Sequence, residues 1–257
     1  MGQESELKIA CDPVIRLNGI LQQCAQIVGR NDQTLGQVLL EVIGADPKSA
    51  SSLQTKAYAL LLTEIENALL QLPEFLKGKP LDRHQKNMQE LMSRIANSHP
   101  AKSCQSVFNE LRNSQVLAQL EMCSELVEVS LDEEGIVHSV VDSNLLKELR
   151  SRLSEIVELV LDGNLPARTK RKLIDKIREA ITAVDFVQLG GVEGIESGLE
   201  SMMGSLVVED PGTKEAGTNL NILNVALEAV DKTSKISDGC LKIGSVFKRI
   251  YDTLPLV

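Results

Sequence analysis

The sequence predicts an all-α protein, a multi-helix bundle with a central antiparallel helical hairpin and a C-terminal amphipathic helix. Three observations carry that expectation. Apolar residues recur at steps of three and four along most of the 257 residues, the spacing of one helix face. Breaker clusters such as Gly44-Ala45-Asp46-Pro47 and Asp162-Gly163-Asn164 cut the chain into pieces of helix length. No strand alternation of any length competes with this pattern.

From Pro13 to Val28 the apolar row is Val14, Leu17, Leu21, Cys24 and Val28, with Pro13 suited to a first helical turn. Asp32 to Ile43 forms a second, shorter helix that stops at the Gly44 cluster. Ser52 to Leu72 has a wide apolar face of Leu53, Ala57, Leu60, Leu61, Ile65, Ala68, Leu69 and Leu72, and Leu72-Pro73 with the run Gly78-Lys79-Pro80 is expected to close it. Asp82 is the expected N-cap of a helix through Met88, Leu91, Met92 and Ile95 that ends before His99-Pro100. Ser103 to Arg112 and Ser114 to Val129 are both helical in period. The run from Ser130 to Val141, with Gly135 between an acidic and a β-branched half, reads as a loop able to hold one short strand pair.

Asn144 is the expected cap of a helix carrying Leu145, Leu149, Leu153, Ile156 and Val160. Pro166 restarts the chain, and Leu173, Ile177, Ala180 and Val184 form the stripe of the return arm, giving the central hairpin. Next comes Leu189 to Met203, where Gly190, Gly194 and Gly198 stand four apart beside an apolar row of Ile195, Leu199 and Met202. Glycine costs about 1 kcal/mol relative to alanine inside a helix, so a bare row of this kind means either close approach by another element, the favoured expectation, or a loosely ordered helix. The turn-rich run Glu209 to Gly217 marks a linker. Beyond it Ile236, Cys240, Ile243, Phe247, Ile250 and Leu254 alternate steps of four and three, a short heptad row. The expected organisation is an N-terminal helical part over 1–129, then loop, hairpin and glycine-rich helix over 130–208. A linker over 209–219 and a C-terminal amphipathic helix over 220–257 complete it.

Composition narrows the function classes. The chain has four Phe, two Tyr and no Trp, so base or sugar stacking on aromatic platforms is poorly supplied. A net charge of −9 opposes adhesion to nucleic acid and to anionic membranes. The five cysteines are scattered and never form a C-x-x-C pair, which fits buried thiols in a reducing cytoplasm and supplies no zinc motif. No leader and no spanning apolar stretch is expected, and the expected compartment is the cytoplasm. Phosphate-binding, dinucleotide, zinc-protease and nucleophile-elbow motifs are missing from the sequence, so no cofactor and no metal are expected.

Two stretches supply charged chemistry. Arg168, Lys170, Arg171, Lys172, Lys176 and Arg178 open the return arm of the hairpin, and a charge match to Glu148, Glu155, Glu158 and Asp162 is the plainer reading than a phosphate contact. The heptad row of the last segment is accompanied by Lys232, Lys235, Lys242, Lys248 and Arg249. Self-docking or oligomerisation is favoured there, then a protein partner. A membrane contact through 232–254 is the least favoured. Of the three histidines, His84 is expected at the surface near a helix start, and His138 sits in an acidic loop that lacks the order of a calcium-binding loop.

Arg94 and His99, separated by four residues, resemble the motif of the HEPN helical ribonucleases, in which an arginine and a histidine act on the RNA 2′-hydroxyl. That resemblance rests on two residues and implies a catalytic role for Arg94 and His99. A broader one lies in DGNLPARTKRKLIDKIREAITAVDFVQLGGVEGIESGLESMMGSL and in DQTLGQVLLEVIGADP, which are similar to stretches of uncharacterised bacterial α-helical proteins. It implies no activity, although such proteins often serve toxin or antiviral defence systems. The favoured expectation is a non-enzymatic helical interaction or scaffold protein that self-associates. Its partner-binding residues are Gly190, Gly194, Gly198, Ile236, Ile243, Phe247 and Ile250. The alternatives are a ribonuclease using Arg94 and His99, and a membrane-acting effector using the last helix.

Overall fold

The structure is a computed structural model that describes residues 12–28, 33–76, 81–133, 143–163 and 165–208. Among them lie nine α-helices: α1 (Pro13–Ile27), α2 (Leu35–Val42), α3 (Ser51–Phe75), α4 (Leu81–Ala96), α5 (Cys104–Asn113), α6 (Val116–Glu133), α7 (Ser143–Asp162), α8 (Ala167–Asp185) and α9 (Val187–Val208). The all-α expectation holds throughout the described residues. The expected linker and the C-terminal heptad row, with Ile236, Ile243, Phe247 and Ile250, lie outside them, as do Gly135 and His138.

The described residues fall into two compact units, one built on 12–133 with 188–190, the other on 143–187 with 191–208. The first unit begins with a capped helix. Asp12 Oδ1 accepts from the Val14 and Ile15 amides at 2.8 and 3.1 Å, and Pro13 fills a position whose N–H would have no helical partner. A capping box starts α2, with Thr34 Oγ1 accepting from Gln37 N and Gln37 Oε1 accepting from Thr34 N. Helices α1 and α2 pack on α3, α3 packs on α4, and α6 packs on α1 and α4. The core between them is mainly aliphatic: Leu17, Leu21, Leu39, Leu61, Ile65, Leu72, Leu91 and Ile95, joined by the rings of Phe108 and Tyr58.

The turn after α4 is tied down from two sides. Tyr58 of α3 donates its hydroxyl to the Ile95 carbonyl at 2.7 Å, with the Ser98 carbonyl 3.2 Å away, so a side chain satisfies the open end of α4. Residues 100–104 then run beside 33–36, with Gly36 N donating to Pro100 O, Leu35 N to Lys102 O and Cys104 N to Gln33 O. Gly36 is required by that approach: a Cβ there would stand 2.7 Å from Gln54 Cβ and 3.2 Å from Pro100 O. Gln115, in the left-handed region at φ 61°, makes the corner between α5 and α6.

In the second unit α7 and α8 pack together. Arg150 pairs with Asp185 at 2.7 Å, and Lys170 Nζ donates to the Leu161 carbonyl at 2.6 Å. Contacts that far apart along both helices give the pair an antiparallel sense. Leu149, Leu153, Ile156 and Val160 are buried on one arm, and Leu173, Ile177, Ala180 and Val184 on the other.

Three expectations need correction. Ser130 to Glu133 is not loop but the last turn of α6; Ser130 and Leu131 are buried there, and Ser130 Oγ bonds back to the Leu126 carbonyl. Tertiary burial of that turn overrides the weak local helix signal. Pro73 does not stop α3 at once: the helix takes it in and ends at Phe75, between the two breakers expected to close it. So near the helix terminus a proline removes one backbone bond rather than a run of them. His84 is not at the surface: it is 7% exposed, because it falls on the inner face of α4 one turn before Met88.

Candidate functional site

The glycine row of the sequence does not survive as one face. Gly191 lies at φ 61°, ψ −174°, a conformation outside the helix that joins two helical pieces of α9. Gly190 therefore precedes the break, while Gly194 and Gly198 follow it. Their surroundings differ as well. A Cβ on Gly190 would meet Leu60 at 3.6 Å, an ordinary contact; one on Gly198 would meet the Ala180 backbone at 3.0 Å; one on Gly194 would meet nothing within 4 Å. Close approach, the expectation for all three, is found at Gly198 against α8. The break at Gly191 has a sequence signal only in retrospect, as the second residue of a Gly-Gly pair.

Beside these glycines, α9 carries Glu193, Glu196 and Glu200. Burial pushes the Glu196 carboxyl up to about 7, and the charges of Glu193 and Glu200 add to the shift. A half-buried acid between two others is a local pH-sensitive element.

Arg94 and His99 fall at the end of α4 and in the turn after it. The Arg94 guanidinium is engaged by Glu90 one turn earlier, Nε and a terminal nitrogen reaching Oε1 at 3.0 and 2.7 Å. His99 is exposed, and its Nδ1 accepts from the Ala101 amide at 3.1 Å. Both side chains thus have local partners within their own segment. The basic run at the start of α8 is partly engaged too: Lys170 on the Leu161 carbonyl, Lys176 on Glu179.

Two features that sequence reasoning missed stand out. The first is a small cleft between α4 and α6, lined by His84, Asn87, Met88, Leu91, Val116, Gln119, Leu120 and Cys123, with a volume of about 10 Å³. Two of these residues also carry buried atoms with no hydrogen-bond partner among the described residues, His84 Nδ1 and Gln119 Oε1. Leaving such an atom unsatisfied costs about 1–3 kcal/mol. Burial lowers the His84 pKa, with the Arg83 charge adding to it. Burial likewise raises the Cys123 thiol to about 12, with the charge of Asp12 adding to it, so that thiol is protonated.

The second is the outer face of α6. Ala118, Met122 and Val129 are exposed on one seam, Met122 at 53% and Val129 at 48%. Glu121, Glu125, Glu128 and Asp132 border that seam, and α6 carries no Lys or Arg. The opposite face, with Leu120, Cys123, Val127 and Leu131, is buried. An apolar seam edged by acids alone suits a partner that is apolar and basic.

Among the described residues no helix is long and apolar enough to cross a membrane, and no three His, Cys, Asp or Glu side chains gather as a metal set. Compared with known proteins, the chain matches no family model, no curated protein and no solved structure.

Proposed function

We propose that this protein is a helical interaction module that self-associates, the outer face of α6 receiving the basic amphipathic stretch 232–254 of a second copy. The exposed Met122–Val129 seam with its one-sided acidic border carries this reading. Large apolar side chains half-exposed at a spacing of seven are what a docked helix covers. The acids require a basic occupant. The chain's own sequence contains one, where Ile236, Ile243, Phe247 and Ile250 are interspersed with Lys232, Lys235, Lys242, Lys248 and Arg249. That stretch lies outside the described residues and enters through its sequence pattern alone. An acidic chain of net charge −9 repels its copies, so an opposite-charge contact is the natural route to assembly.

The test is solution mass by light scattering on the full chain. An oligomer is expected, lost both in Met122→Glu/Val129→Glu and in Ile243→Glu/Phe247→Glu. Reversing Glu125 and Glu128 to Lys should weaken it, and pairing that change with Lys242→Glu/Lys248→Glu should restore it. A wild-type chain that stays monomeric at every concentration, or an oligomer indifferent to Met122 and Val129, sinks the proposal.

A further inference from the structure

The cleft between α4 and α6 is lined by four side chains that can act as donors. His84 and Met88 lie one turn apart on α4, Gln119 and Cys123 one turn apart on α6, and all four line the same space. Spacing of four places each pair on one helix face, so two facing helices contribute two donors each. This is how bundle interiors assemble ligand sites. His84 is itself 7% exposed, and its Nδ1 has no partner among the described residues. Gln119 lines the same cleft, and its Oε1 is likewise buried without a partner among the described residues. The volume of about 10 Å³ admits one guest about the size of a water molecule. Asn87 and Gln119 are half-buried, so the cleft reaches solvent on one side.

We propose that this cleft binds one soft monovalent metal ion, Cu(I), through His84 Nδ1 and Cys123 Sγ, with the Met88 thioether completing the donor set. The lining chemistry selects the ion. No carboxylate, lysine or arginine lines the cleft, and the Asp12 carboxylate whose charge reaches Cys123 is occupied in capping α1, so the lining offers no oxygen set for a hard divalent cation. Imidazole, thiol and thioether are the donors that favour Cu(I). Zinc wants four His, Cys or carboxylate ligands, and the described residues gather no three of them at one place. On binding, the Sγ–H bond of Cys123 breaks, a sulfur–copper bond forms and the proton leaves to solvent. No electron changes hands, and copper stays Cu(I). Binding is therefore coupled to proton release, and the ion supplies the positive charge that this buried thiolate otherwise lacks.

The experiment uses the reduced full chain under nitrogen, in a Cys11→Ser/Cys240→Ser background, titrated with Cu(I) against bicinchoninate. One equivalent withheld from the chelator is expected. His84→Gln and Cys123→Ser should each weaken it, on the order of tenfold or more. X-ray absorption of the loaded background protein should show nitrogen and sulfur together in the copper shell, a readout that stands even if either variant fails to fold. No copper withheld would mean that the cleft holds a bridging water only, and would overturn the proposal. So would retention that survives both substitutions, or an all-sulfur shell, which would place the ion at Cys24 and Cys104.

Discussion

Arg16 of α1 and Glu64 of α3 form an ion pair inside the first unit, Nε to Oε1 at 2.7 Å and a terminal nitrogen to Oε2 at 3.1 Å, with side chains 3% and 0% exposed. Two parallel bonds between planar groups fix α1 against α3 in register as well as in distance.

Removing one partner of this pair leaves the other charge buried. Glu64→Leu and Arg16→Met are each expected to lower stability by about 3–5 kcal/mol in urea unfolding. The double replacement should lower it by much less than the sum, because both charges leave together. Additive losses would mean that the two groups do not act as a pair.

The glycines should separate by substitution. Gly36→Ala forces a Cβ against Gln54 and the Pro100 carbonyl and is expected to lose about 1–3 kcal/mol. Gly194→Ala meets open space inside a helix and should gain about 0.5–1 kcal/mol. Gly198→Leu should be far more damaging than Gly194→Leu, since only the former drives a side chain into the Ala180 backbone. Thermal unfolding of the four variants checks the ranking, and equal effects at 194 and 198 would contradict it.

Stability should fall as pH rises toward neutrality through Glu196. Its folded pKa of about 7 stands above the ordinary value of 4.5, so the folded protein holds a proton that the unfolded chain has released. The stabilisation is complete below pH 4.5 and lost as pH climbs through about 7. Allowing for solvent screening of a half-buried group, the span is about 1–2 kcal/mol. Glu196→Gln should flatten that part of the pH–stability curve, whereas an unchanged slope would place the proton elsewhere.

The ribonuclease alternative gives a direct contrast. An interaction module predicts that the purified chain, His99→Ala and Arg94→Ala are indistinguishable in an RNA cleavage assay. Arg94→Ala should also change stability by under about 1 kcal/mol, since its pair with Glu90 is partly exposed. Cleavage by the wild type that vanishes in both variants would reinstate catalysis at Arg94 and His99.

The sequence by itself determined the fold class, most helix positions and the inward stripes of α7 and α8, because periodicity at 3.6 residues and local breakers are properties of single segments. It also placed Pro13 and the end of α2 at Gly44, where backbone chemistry is local. Only the tertiary structure decided which polar residues are interior. Arg16 and Glu64 stand 48 positions apart, and His84 and Cys123 come from different helices, so no local pattern announces either meeting. It likewise decided the fate of the glycine row: three identical residues at equal spacing became an ordinary contact, an open position and a close approach. What a missing side chain means depends on the neighbour it would have touched, and that neighbour is set by packing between segments distant in the chain.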